Sequence, residues 1–213
     1  LFRSHFLVER DYHIALVELD EVEFENPDQP PQVLTERFFD GLIIHFGVSE
    51  MVQSAVRTLE IPAIWWDSGS FDARDCIYRD EETVGFDLTE ELLNLGHRRI
   101  AFSGHDLKGE QPGRHFSTPH RHRGYQKAMR KAGLEPLSIE SSSDDDLVAR
   151  LSSLKPTAVV ILGLGGSEQL AMFGAAARLG WKIPEDLSVA TCDREALIGV
   201  PYGGFTYERY STG

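Results

Sequence analysis

The sequence predicts an α/β fold in which parallel sheets are covered by helices, and three observations carry that prediction. The first is a recurring unit of amphipathic helix, glycine stop and short apolar strand. It is plainest in Leu92 to Gly104 (LLNLGHRRIAFSG), returns from Arg178 to Asp193 (RLGWKIPEDLSVATCD), and is weaker from Lys131 to Ile139. Gly96, Gly180 and Gly133 are the stops, because glycine readily takes the left-handed conformation that closes a helix. A buried strand directly after such a stop is the second half of a βαβ unit. The second observation is that strands such as Leu42 to Phe46 and Ala158 to Leu162 are continuous apolar runs, the pattern of a parallel sheet with both faces covered. The third is their distribution. Strands gather before Asp80 and again after Arg99, which predicts two sheets with a boundary near Arg79 to Glu82.

In chain order, Leu1 to Arg10 reads as the tail of a helix and Tyr12 to Leu19 as a strand ending at Asp20. Glu21 to Pro31 is acidic and Pro-rich, hence a surface loop. A short helix from about Gln32 to Phe38 precedes the strand Leu42 to Phe46. Ser49 is a good N-cap for a helix whose apolar residues, Met51, Val52, Ala55, Val56 and Leu59, form one buried face before Pro62. Ala63 to Trp66 is the next strand and ends at Asp67; after the turn SGSFDAR comes the short strand Cys76 to Tyr78.

A helix from Glu82 to Leu95 carries Val84, Leu88, Leu92 and Leu95 on one side. Asp106 to Pro119, rich in Gly, His and Pro, is expected to be a long loop, and loops of that length in compact domains are commonly functional. His120 to Ala132 is the next helix, with Tyr125, Ala128, Met129 and Ala132 inward. Ser141 to Asp146 is a polar turn capping a helix from Leu147 to Leu154. The strand Ala158 to Leu162, a glycine turn at Gly163 to Gly166, a helix from Glu168 to Leu179 and a strand from Ser188 to Thr191 follow. Phe205 to Gly213 stops as an element begins, so the expectation is a fragment of a larger fold.

The totals exclude several classes. With 21 Lys plus Arg against 34 Asp plus Glu, the net charge of −13 repels phosphate backbones, so this segment by itself is a poor nucleic-acid binder. Cys76 and Cys192 sit inside strands rather than at framework spacing and suit a reducing compartment. No apolar run approaches the roughly 20 residues of a membrane span, and no leader-like segment opens the chain, so a cytoplasmic protein is expected.

Four predicted strands end on a carboxylate: Asp20, Asp67, Asp80 and Asp193. Ligands of open α/β sheets bind outside the carboxyl ends of the strands, and an ionised carboxylate accepts hydrogen bonds from hydroxyl-rich ligands. Taken singly, each Asp is more readily a cap or turn residue. Arg121 has two readings of equal weight. It lies four residues before Tyr125, facing inward at a helix start, where a guanidinium could hold a hydroxylated or anionic molecule; equally, His120 to Arg123 (HRHR) could be a solvated basic patch.

The His residues at 97, 105, 115, 120 and 122 lack metal-site spacing, and neither a metal nor a cofactor is expected. The Gly163 to Gly166 turn lacks both phosphate-loop signatures. Trp65 and Trp66 occupy adjacent strand positions, so only one can face any side, and core packing is the better reading. No Ser, His, Asp set for nucleophilic catalysis assembles, and no enzyme is expected.

Taken together, LLNLGHRRIAFSG, RHRGYQKAMRKAGL, FDGLII, IPAIWWD, IYRDEETVG and above all IPEDLSVATCD resemble the effector-binding core of LacI/GalR-type transcription regulators. The resemblance covers nearly the whole chain in the right order. It implies a type I periplasmic-binding-protein-like fold with two Rossmann-like lobes, parallel sheets flanked by helices, and a ligand between them. The N-terminal lobe would be residues 1–80, lacking its first strand and helix, the C-terminal lobe 81–206, and 207–213 the start of the return crossover. The implied protein is a homodimer that binds a small-molecule effector, a sugar first of all, and reaches operator DNA through an N-terminal domain outside this chain. By motif position, Arg121 and Asp193 match the family's effector contacts, Asp80 lines the same cleft, and His115 and Ser117 lie in a loop that adds contacts. Gly165, Gly166 and Ser167 stand where relatives carry Asn-Asp, so one usual ligand contact is replaced. A solute-binding protein of a transport system is the alternative on the same fold, though it would carry a secretion signal and act as a monomer. The resemblance also predicts that Arg121→Ala weakens effector binding without unfolding the protein.

Overall fold

The computed structural model describes residues 13, 15–18, 31–36, 39–45, 49–67, 75–104, 115–161, 167–192 and 206–207. The chain separates into two compact units, 1–77 and 78–213.

The first unit holds a one-turn helix α1 (Gln32–Thr35), β1 (Leu42–His45), α2 (Glu50–Thr58), β2 (Ala63–Trp66) and β3 (Cys76–Ile77). Its strands pair in parallel in the order β1-β2-β3, Leu42 opposite Ala63 and Trp65 opposite Cys76. Ser49 caps α2 as expected, its hydroxyl accepting the Val52 N–H at 3.4 Å. Val52, Ala55 and Val56 of α2, with Leu34, pack against Leu42, Ile44, Ala63, Trp65 and Cys76. The alternate strand positions, Ile43, His45, Ile64, Trp66 and Ile77, face away from that core and are exposed. Trp65 thus fills the core, while Trp66 is 51% exposed with the His45 ring 4.7 Å from its own.

The expected strand from Tyr12 to Leu19 is not borne out. Its described residues, His13 and Ala15 to Glu18, join no ladder, and Leu16 stands in solvent. Alternating apolar residues supply a face, but a strand also needs a neighbour for its N–H and C=O groups.

The second unit contains α3 (Glu81–Asn94), β4 (Ile100–Ser103), α4 (Ser117–Lys131), β5 (Leu137–Ile139), α5 (Asp144–Leu154), β6 (Ala158–Ile161), α6 (Ser167–Arg178), β7 (Ser188–Thr191) and β8 (Thr206–Tyr207). All strands are parallel, in the order β5-β4-β6-β7-β8. One face packs Ile100, Phe102, Ala158, Val160, Ala190 and Cys192 against α3 and α4 through Val84, Leu88, Leu92, Tyr125 and Met129. The other packs Ala101, Ile139, Val159, Ile161 and Val189 against α5 and α6 through Leu147, Leu151, Met172 and Phe173.

The three glycine stops share one geometry. At Gly96, Gly133 and Gly180 φ is +96°, +71° and +72°. In each case the glycine N–H and the next residue's N–H reach back to free carbonyls, as with Gly96 to Leu93 (3.0 Å) and His97 to Leu92 (3.1 Å). The stop therefore satisfies groups that a helix end would leave unpaired, and after Gly96 and Gly133 the next strand begins within four residues.

Two helices start three residues earlier than expected. Helix α5 begins at Asp144 rather than Leu147, with Ser143 as its cap (Oγ to Asp146 N, 3.2 Å), so Asp144 to Asp146 form the first turn, where carboxylates oppose the helix dipole. Helix α4 begins at Ser117 rather than His120. Pro119, read from sequence as part of the loop, is the third helical residue, where a missing N–H costs nothing.

Candidate functional site

The strand order places a switch point between β4 and β6: after β4 the chain crosses to α4 on one face, and after β6 to α6 on the other. Helices α4 and α6 thus lie on opposite faces after two adjacent strands, and it is at the carboxyl ends of such strands that open α/β sheets have a ligand-binding crevice. Helices α4 and α6 both begin at this edge.

Arg121 is in α4 and is 3% exposed. Its Nε donates to Glu81 Oε2 at 2.6 Å and its Nη2 to Glu81 Oε1 at 3.0 Å, a two-pronged ion pair with a carboxylate that is 0% exposed. Arg79 adds a second guanidinium at 3.1 Å from Glu81 Oε1. The inward reading of Arg121 is therefore the correct one, and the solvated-patch reading fails. Because α4 starts at Ser117, Arg121 sits in the second turn rather than the first, and it shares the Glu81 carboxylate with Arg79.

Two glycines make that pair possible. A Cβ on Gly85 would stand 2.0 Å from the Arg121 carbonyl oxygen, and one on Gly124 would stand 2.0 Å from that of Glu82. Helices α3 and α4 thus meet backbone to backbone, which brings the first residue of α3 within reach of Arg121. On the outer side, Lys127 and Lys131 reach Glu82 and Glu90 at 3.2 and 2.6 Å.

Asp80 caps α3. Its Oδ1 accepts the Thr83 N–H at 3.0 Å and its Oδ2 the Thr83 hydroxyl at 2.8 Å. The backbone bond from Thr83, followed by its hydroxyl, holds the Asp80 carboxyl below its ordinary value of 3.8. Ser117, deeply buried, lies with its Oγ 2.8 Å from His115 Nδ1, and its backbone N–H donates to the same nitrogen at 3.3 Å. His115 thereby serves as the side-chain cap that Phe116 does not provide, with its ring stacked on Phe116 at 4.5 Å. Asp20, Asp193, His105 and the Gly163 to Gly166 turn lie outside the described residues. Asp67 closes β2 in the first unit, where its N–H donates to the Ile77 carbonyl.

Deeper in, the Tyr125 hydroxyl lies 2.9 Å from both the Ile100 and Leu137 carbonyls and accepts the Leu137 N–H at 2.6 Å, clamping α4 to β4 and β5; burial pushes its phenol pKa upward. Across the crevice, Gln169 is the third residue of α6 and 1% exposed; its Nε2 donates to Thr191 Oγ1 at the end of β7, 3.1 Å away. Its Oε1 is buried and has no hydrogen-bond partner.

Sequence reasoning missed Glu81 and Gln169. Glu81 looks like one more acid in the first turn of a helix, and only its spacing of four from Gly85 hints that it belongs to the packed side. Among the described residues no His, Cys, Asp and Glu cluster could hold a metal, and no helix is long and apolar enough to cross a membrane.

A doubly covered parallel sheet with its crevice at the switch point defines a ligand-binding α/β domain, and the family model of the periplasmic binding protein-like domain matches residues 89–206, more than half of the chain. The protein belongs to that family. Among solved structures it is similar to a transcription regulator from Lactobacillus plantarum, at 20% identity and a TM-score of 0.67 over 88% of this chain and 70% of the other. A LacI family transcriptional regulator from Mycobacterium smegmatis gives 25% identity and a TM-score of 0.59 over 83% and 66%. A sugar-binding LacI family regulator from Escherichia coli, solved with phosphate, gives 20% and 0.61 over 78% and 61%. The chain therefore spans about 61 to 70% of the length of these proteins. No curated protein sequence matches it.

Proposed function

We propose that this chain is the effector-binding core of a ligand-responsive transcription regulator of the LacI/GalR type, and not an enzyme. The observation that carries the reading is the switch-point crevice in a periplasmic binding protein-like domain whose solved counterparts are transcription regulators. Those counterparts favour a regulator over the transport alternative. The effector is a small molecule, a sugar before other classes, as the name of the Escherichia coli relative suggests for that protein. Arg121, Ser117 and His115 sit at the start of α4 beside the crevice and are the proposed contacts, with Asp193 following β7 and Asp80 before α3. The protein acts in the cytoplasm as a homodimer. Operator DNA is contacted through a domain outside this chain, in keeping with a net charge of −13 that repels phosphates here. Regulation is a population shift: an effector that binds one arrangement of the protein better moves the equilibrium by its difference in affinity.

A thermal-shift screen of the 213-residue chain against monosaccharides, disaccharides, polyols and purines tests this, since a ligand of the native state raises Tm by mass action. A raised Tm with one of these classes is expected; a folded sample unmoved by all of them defeats the reading. The buried pair changes what Arg121→Ala can report. Leaving Glu81 without its main partner costs about 3–5 kcal/mol, so that variant loses stability as well as binding. Replacing both residues, Glu81→Met with Arg121→Met, restores folding and isolates the loss of affinity.

A further inference from the structure

Helix α4 is held at its start by a histidine in one ionisation state. Pro119 has no N–H, so the first turn has three donors to satisfy, at Phe116, Ser117 and Thr118, and residues 116–119 are all buried, where water is a poor substitute partner. The Ser117 N–H donates to His115 Nδ1 at 3.3 Å, and Ser117 Oγ lies 2.8 Å from the same nitrogen. A backbone N–H can only donate, so Nδ1 carries a lone pair and the ring proton is on Nε2. A proton placed on Nδ1 turns this acceptor into a donor aimed at another donor, and it adds positive charge at the positive end of the helix dipole. Among the described residues, the charged groups at this end of α3 and α4 are His120, Asp80 and the cluster of Arg79, Glu81 and Arg121, with Glu82 pairing Arg123 and Lys127 farther along. The Glu81 carboxylate binds two guanidiniums and that of Asp80 holds Thr83, so both are engaged away from the cap; β4 and β5, under the helix, carry no charge.

We propose that His115 is a pH-sensitive cap, which fixes the first turn of α4 while its imidazole is neutral and releases that turn when the imidazole is protonated. The usual capping side chains, Ser, Thr and Asn, keep their acceptor at every pH, whereas a histidine loses it within roughly pH 8 to 5. Release is local. Tyr125, two turns in, is clamped to the Ile100 and Leu137 carbonyls through its hydroxyl, so the helix beyond it stays on the sheet. Ser117 lies on the released turn and Arg121 on the next, so acidification lowers effector affinity as well; that consequence rests on the effector-binding reading above, and the switch itself does not.

Amide hydrogen exchange of the full 213-residue chain, read by NMR at roughly pH 7.5 and 5, tests the switch in wild type, His115→Asn, His115→Phe and His120→Gln, with the Met129 amide deeper in α4 as reference. Asn offers a carbonyl that accepts the N–H two residues on at either pH, and Phe keeps a ring to stack on Phe116 while removing the acceptor. The protection factor of Ser117 is expected to fall at least about tenfold on acidification in wild type and His120→Gln, to stay high at both pH values in His115→Asn, and to be low at both in His115→Phe. No fall in wild type, the same fall in His115→Asn, or high protection in His115→Phe overturns the inference. Loss of the fall in His120→Gln assigns the sensor to His120 and overturns it as well, and a fall shared by Met129 is global rather than local and does the same. If a variant does not fold, the ring of wild-type His115 decides: its nitrogen chemical shifts are expected to show a proton on Nε2 and none on Nδ1 at the higher pH, and a proton on Nδ1 there overturns the inference.

Discussion

The two sheets of this protein are built from similar strands and are buried differently. In β4 and β6 all four residues are buried, whereas in β1 burial alternates along Leu42 to His45 and in β2 only Trp65 is buried. The second unit has helices on both faces of its sheet; among the described residues, the first unit has a helical cover over one. An apolar strand run is thus a promise of two covers, and the promise is kept only where two helical layers are in place. Ile43, Ile64 and Ile77 are as apolar as Ile100 and Ile161 yet stand in solvent.

The sharpest way to break this comparison is to make one change in both sheets. Ile100→Ala empties a fully buried position and is expected to cost about 2–5 kcal/mol, whereas Ile43→Ala, at 65% exposed, should change stability by less than about 0.5 kcal/mol. Urea denaturation of the two variants decides it, and equal losses would mean that the outer face of the first sheet is covered in solution. Next in size is the contact between α3 and α4. A methyl group on Gly124 would collide with a backbone oxygen at 2.0 Å, so Gly124→Ala should cost about 3 kcal/mol; Gly174→Ala, which meets nothing within 4 Å, should stabilise by up to about 1 kcal/mol.

The smallest expected effect concerns the Asp80 cap. Its carboxyl is depressed below 3.8 in the folded state, so its contribution is present above the unfolded value and is lost as pH falls through the lower folded value. Asp80→Ala should cost about 1 kcal/mol at pH 7, and the gap to wild type should close as the pH drops below about 3.8. A gap that persists at pH 2 would show that the carboxylate charge plays no part in the cap.

Much of this protein was fixed by its sequence through local rules. Gly96, Gly133 and Gly180 closed their helices because only a residue without Cβ takes those φ values cheaply, and Ser49 capped α2 because its hydroxyl is one residue from free N–H groups. The spacing of Arg121 to Tyr125 offered an inward orientation without deciding it against a solvated patch, and the family followed from motifs spread along the chain. Tertiary structure decided what local rules could not reach. That the described residues His13 and Ala15 to Glu18 gained no ladder depended on neighbours distant in sequence, and the start of α4 at Ser117 depended on His115 offering a cap that no capping rule names. The pairing of Glu81 with Arg121, 40 residues apart, required two helices to meet at glycines, and the unpaired end of Gln169 became visible only when α6 was laid on the end of β7. Charge and hydrogen-bond partnership are properties of positions in space, so a sequence can nominate the residues while the fold assigns their partners.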